Sequence, residues 1–177
     1  QPQPGANPIV DLPPVSDERL DNGVRLLTVA NTETPAVTIR AVCAMGQRDE
    51  GPGKAGLANL TASMMSEAPL RRTAAEFSEA LERIGASVSV AAGSYETAVT
   101  LNVLSTHLDT GMELMLERLL EPAFAPEDFE RLKSRQLESL MQARKSGPAL
   151  AARAIDAVLA GPEHPLSYPG GGLPSTV

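Results

Sequence analysis

Between Val24 and Ala160 the hydrophobic period of this 177-residue chain switches back and forth between two residues and 3.6. That switching limits the fold more than any other feature of the sequence. Val24 to Ala30 is a β-rich run after the hairpin-turn signal Asp21-Asn22-Gly23, and Ala36 to Ala44 alternates through Val37, Ile39, Ala41 and Cys43 after a second turn. A glycine-punctuated loop, Arg48 to Gly56, then runs into a helical stretch ending near Glu67-Ala68-Pro69, with Leu57, Leu60 and Met64 on one buried stripe. Thr73-Ala74-Ala75-Glu76 is a capping box, and the helix it opens buries Phe77, Leu81 and Ile84 and stops at Gly85. Ser87 to Ala91 and Thr97 to Val103 alternate on either side of Gly93-Ser94, which predicts another hairpin.

Helices close the chain. Leu108, Met112, Met115, Leu116 and Leu119 form an apolar face that Pro122 ends. Pro126-Glu127-Asp128 opens a long helix with its acids at the positive end, and Phe129, Leu132, Leu137, Leu140 and Met141 face the core. Gly147-Pro148 breaks it, Ala149 to Ala160 is one more helix, and Gly161 onward is loop. Strand pairs separated by helix pairs predict an α+β fold, an antiparallel sheet with helices packed on one face. The proline-rich residues 1–15 are expected to form an extended arm and 16–177 the domain. Because the chain ends on a loop, it is expected to be a piece of a longer protein whose remainder covers a sheet edge.

Composition narrows the function classes. Fifteen basic against 22 acidic residues give a net charge of −7, which argues against nucleic-acid or anionic-membrane partners, since both favour a basic patch. No apolar run is long enough for membrane insertion. The single cysteine, Cys43, has no internal disulfide partner and is expected to be a small buried hydrophobe. The polar start, Gln1 to Pro8, resembles what signal-peptide removal leaves, so a periplasmic or otherwise exported protein is expected, with a cytoplasmic one as the alternative.

One helix face bears on chemistry. Asn59, Ala62 and Ser63 stand at i, i+3 and i+4, so they share a face distinct from the apolar stripe. That spacing suits a metal helix in which two side chains hold the ion and a carboxylate activates water. Here an amide, a methyl and a hydroxyl occupy those positions.

Taken with Leu20-Asp21-Asn22-Gly23-Val24-Arg25-Leu26, Gly46-Gln47-Arg48-Asp49-Glu50 and Gly56-Leu57-Ala58, this order resembles the M16 (pitrilysin or insulinase-like) zinc peptidases, over roughly Leu20 to Tyr168. The resemblance implies a LuxS/M16 metallopeptidase-like half-domain. In active members Gly-Leu-Ala leads into His-x-x-Glu-His; here Asn59 matches the first histidine, Ala62 the glutamate and Ser63 the second histidine. A third ligand, a glutamate, lies in a later helix that begins with a Phe-Glu-Arg-like run; Phe129-Glu130-Arg131 supplies the run and Ser139 the matching position. Zinc prefers thiolate, imidazole and carboxylate, and a methyl offers no base, so no cofactor is expected at this site. His107 and His164 fall outside it, Glu67 is expected at a solvated helix end, and Gly170-Gly171-Gly172 is expected to be a plain surface loop.

Family members also hold substrate as an added β-strand along the edge that matches Ser87, Val88, Ser89, Val90 and Ala91, a mode that needs only backbone pairing. The resemblance therefore implies a non-catalytic subunit of a heteromeric peptidase, adding chamber wall and peptide contacts while a homologous zinc-bearing M16 subunit supplies the metal and the base. The alternatives are a stand-alone binding or structural module on the same fold, and an active zinc protease with ligands recruited elsewhere.

Overall fold

A computed structural model describes residues 13–177. The chain divides into two compact units at Pro35/Ala36. In the first, β1 (Val15–Arg19) pairs antiparallel with β2 (Arg25–Val29), in the register Val15↔Val29 to Arg19↔Arg25. Gly23, at φ +86°, makes the turn that Asp21-Asn22-Gly23 predicts. Its N–H donates to Leu20 O, and Leu20 N–H to Val24 O, both at 2.8 Å. Arg25 clamps Asp17 across the ribbon with two bonds, 2.9 and 2.7 Å. The predicted arm, 1–15, lies outside the described residues except for 13–15, and Val15 already belongs to β1.

The second unit is a three-stranded antiparallel sheet under helices. Strand order is β3 (Ala36–Cys43), β5 (Thr97–Leu104), β4 (Ser87–Ala92), so the expected antiparallel pairing is present in two sheets rather than one. The helices are α1 (Leu57–Met65), α2 (Ala74–Arg83), α3 (Leu108–Leu120), α4 (Pro126–Ala143) and α5 (Gly147–Ala160). Alternation on the central strand decides the core: Val99, Leu101 and Val103 point one way and bury against Val88 and Met115. Leu101 is fully buried, so its truncation to alanine should cost about 3 kcal/mol. Gly111 lets α3 lie close on β5, since a Cβ there would sit 3.0 Å from the Val103 side chain. A second cluster, Leu60, Met64 and Leu132, joins α1 to α4.

Thr73 and Glu76 form the reciprocal cap of α2, with Glu76 N–H donating to Thr73 Oγ1 and Thr73 N–H to Glu76 Oε2. The Gly147-Pro148 breaker is the first turn of α5, capped by Ser146.

Several expected core positions are exposed. Leu57 is 49% exposed although it lies only ~20° around the helix from the buried Met64, because it is the first residue of α1, before the part of the stripe that packs on Leu132. Met141, 57% exposed, is turned by ~100° from the buried Leu140. Phe129, 37% exposed, sits in the first turn of α4 with Lys133 Nζ over its ring at 5.9 Å. Cys43 is exposed too. It continues the row of Val37, Ile39 and Ala41, but at the last position of an edge strand, past the residues that pack on the core.

Candidate functional site

The start of α1 is held from two directions. Gly56, at φ +96°, turns the chain into the helix. The buried Glu50 carboxylate then accepts from Gly56 N–H at 3.0 Å and from Ala58 N–H at 2.8 Å. This satisfies two amides of the helix start and sets a negative charge at its positive end. From the other side comes the glycine run expected to be a plain surface loop. It is instead packed backbone to backbone on α1: Gly172 is buried, and a Cβ on Gly56 would meet Gly171 O at 2.6 Å. Gln136 Nε2 donates to Gly171 O at 2.6 Å, and Thr176 Oγ1 to Ala55 O at 2.7 Å. Gln47 Nε2 donates to Pro165 O and Tyr168 O at 3.0 and 2.6 Å. Glycine is required because side chains would separate the two backbones.

So positioned, α1 packs on α4 with Leu60 and Met64 and on β4 with the opposite side, where Ala62 is buried. Between them lies an open cleft of about 370 Å³ lined by Asn59, Ala62, Ser63, Ser66 and Glu67 of α1 and its end, Val90, Ala91 and Ala92 of β4, and Leu132 and Arg135 of α4. The structure thus brings Asn59, Ala62 and Ser63 into one cleft with Val90 and Ala91. Ser87, Val88 and Ser89 lie further along the strand. Ser139, exposed on α4, is one helical turn beyond Arg135 and is not a lining residue.

Strand β4 is an edge of its sheet. Gly93 N–H donates to Glu96 O at 2.7 Å, which marks Gly93–Glu96 as a hydrogen-bonded pair of the β4–β5 hairpin. Alternation then turns the backbone groups of Val88, Val90 and Ala92 away from β5. On that outer side Arg118 Nη1 takes the Val88 carbonyl at 3.1 Å, whereas the Gly93 carbonyl, on the β5 side, accepts from Gln47 N–H at 3.0 Å. Val90 and Ala92 are the outward-facing residues of β4 beyond that stop. Arg118 stacks on Phe77 at 4.4 Å, and its Nε is buried without a partner. Burial pushes its guanidinium below the ordinary range, while the charge of Glu67 opposes that shift.

The donors in the cleft are an amide, two hydroxyls and one carboxylate. Ser66 Oγ already donates to Ala62 O at 2.9 Å. Glu67, expected at a solvated helix end, is half-buried and paired with Arg131 Nη2 at 2.8 Å. Among the described residues no three His, Cys, Asp or Glu side chains cluster for a metal ion. With the Arg135 cation alongside, this set does not fit zinc, which takes imidazole, thiolate or free carboxylate. His107 is exposed at the start of α3, and His164 Nδ1 accepts from Leu166 N–H at 3.1 Å in a short turn. Sequence reasoning missed Arg118 and Arg135. Arg135 stands four residues before Ser139, so the face carried by that position contained the signal.

The family model for insulinase (peptidase family M16) matches residues 25–160. Among curated proteins, an uncharacterised zinc protease of Rickettsia bellii is 26% identical over 113 residues, 64% of this chain and 27% of its own length. Another of Mycobacterium leprae is 23% identical over 68% of this chain and 27% of its own. The chain therefore spans about a quarter of the length of these relatives. Among solved structures, a peptidase M16 inactive domain from Pseudomonas fluorescens superposes with a TM-score of 0.86 at 22% identity, covering 92% of this chain and 40% of that one. Pitrilysin superposes with a TM-score of 0.73 at 24% identity, covering 99% and 19%. At these identities the superpositions establish the fold.

Proposed function

Because the chain belongs to the insulinase family, peptidase family M16, we propose that it is the non-catalytic member of a two-part peptidase. It contributes chamber wall and strand contacts, while a homologous zinc-bearing subunit supplies the metal and the glutamate base. One observation carries this reading: the α1 face at the cleft presents Asn59, Ala62 and Ser63, with a guanidinium from α4 beside them. Among the described residues nothing there activates water, because the only carboxylate lining the cleft is engaged by Arg131. What the cleft retains is the edge of β4, whose Val90 and Ala92 backbone groups can pair with an extended peptide whatever its side chains.

This chain's residues would bind and orient; the chemical step belongs to the partner. The test is affinity purification of the full-length protein from its native cell, followed by peptidase assay of the isolated protein and of the complex. The reading expects a zinc-bearing homologue in the complex and hydrolysis only when it is present. Hydrolysis by the isolated protein that is lost in Ser63→Ala would overturn it.

A further inference from the structure

The cleft carries a cation that no neighbour among the described residues balances. Its neighbour Arg131 is held by Glu67 and Asp128 at 2.8 and 2.7 Å. Arg135, exposed at the cleft wall, makes no ion pair among the described residues. Glu67, the one carboxylate among the described residues that line the cleft, is already neutralised. Asn59 and Ser63 add an amide and a hydroxyl with no side-chain hydrogen bond among the described residues, so the wall facing a ligand is rich in donors. A guanidinium with neutral donors around it suits a carboxylate, which it can grip with two parallel bonds.

Strand β4 adds a register. Only Val88, Val90 and Ala92 of β4 face outward, and Arg118 closes the Val88 carbonyl, so a pairing strand is left Val90 and Ala92. We infer that the cleft takes an extended peptide bearing a single carboxylate, which seats on Arg135 while the peptide backbone pairs with Val90 and Ala92. The inference rests on the strand-binding reading above and adds the class of peptide to it. The net charge of −7 repels a polyanion at long range, so one carboxylate is favoured over an acidic run. That group is an acidic side chain or a chain terminus.

Fluorescence anisotropy with the full-length protein tests this, using labelled peptides of alternating small residues in three forms. One carries a central Glu and an amidated end, one a central Gln and an amidated end, and one a central Gln and a free C-terminal carboxylate. At least one carboxylate peptide should bind about fivefold tighter than the neutral one, and which one does so identifies the source. Arg135→Gln should erase the preference and Arg135→Lys should keep part of it, with circular dichroism showing that both variants fold. Equal affinity of wild type for all three peptides, or an unchanged preference in Arg135→Gln, overturns the inference and leaves strand binding intact. Failure of every peptide to bind removes the strand-binding reading as well.

Discussion

A Cβ on Gly172 would lie 2.1 Å from the carbonyl oxygen of Ala55. The backbone of the late glycine run and the backbone just before α1 are therefore in direct contact, and the helix that carries Asn59, Ala62 and Ser63 takes its position from that contact. Gly172→Ala combines a left-handed φ of +82° with this clash and should cost about 3 kcal/mol. At 177 residues that is a fall in Tm of roughly 10 °C. Gly53→Ala, at φ +73° with open space around it, should cost only about 1 kcal/mol. Equal losses by calorimetry would refute the packing role of Gly172.

Glu50 offers a second test of how α1 is held. Its carboxylate accepts from two amides of the helix start. Glu50→Ala leaves both amides without that acceptor and should destabilise by about 2 kcal/mol. Glu50→Gln keeps one acceptor oxygen and should lose about half as much. Urea denaturation distinguishes them, and a Gln variant as unstable as the Ala variant would contradict the capping account.

The α2 cap predicts a pH dependence. Hydrogen bonding from the Thr73 backbone, then from its hydroxyl, holds the Glu76 carboxyl below its ordinary value of 4.5. A carboxylate depressed in the folded state adds stability above its unfolded pKa and loses it as pH falls through the folded one. Stability should therefore drop below about pH 4.5, and Glu76→Gln should flatten that part of the curve. An identical acid limb in wild type and Glu76→Gln, followed by urea midpoint against pH, would rule the contribution out.

The register between this chain and the active members of its family can be tested by construction. Asn59→His, Ala62→Glu, Ser63→His and Ser139→Glu together should create saturable zinc binding. Adding Arg135→Ala should tighten it, because a cation lines the same cleft. A folded fourfold variant that takes up no zinc would mean that these positions do not correspond to the family's ligands.

Local rules made the scaffold legible. The capping box at Thr73, the turn at Gly23, and the alternation of Ser87–Ala92 and Thr97–Leu104 are all set by neighbours in sequence. What depended on distant partners was hidden. Leu57, Phe129 and Met141 satisfy a helical period yet sit at the rim, because period fixes a face without saying how far the neighbouring element extends. Gly170 to Gly172 reads as a loop until its contact with Ala55 and Gly56 is seen, and that contact spans more than a hundred residues. The α1 face at the cleft was readable from spacing alone. Arg135, Arg118 and the partner of Glu67 came from elements that only the fold brings alongside it.

Zinc titration calorimetry on the wild-type full-length protein, with metal content of the purified protein as a check, bears most directly on the loss of metal chemistry. The cleft of Asn59, Ala62, Ser63 and Arg135 predicts no saturable one-to-one binding. One tightly held zinc per chain, released by Asn59→Ala or Ser63→Ala, would contradict it.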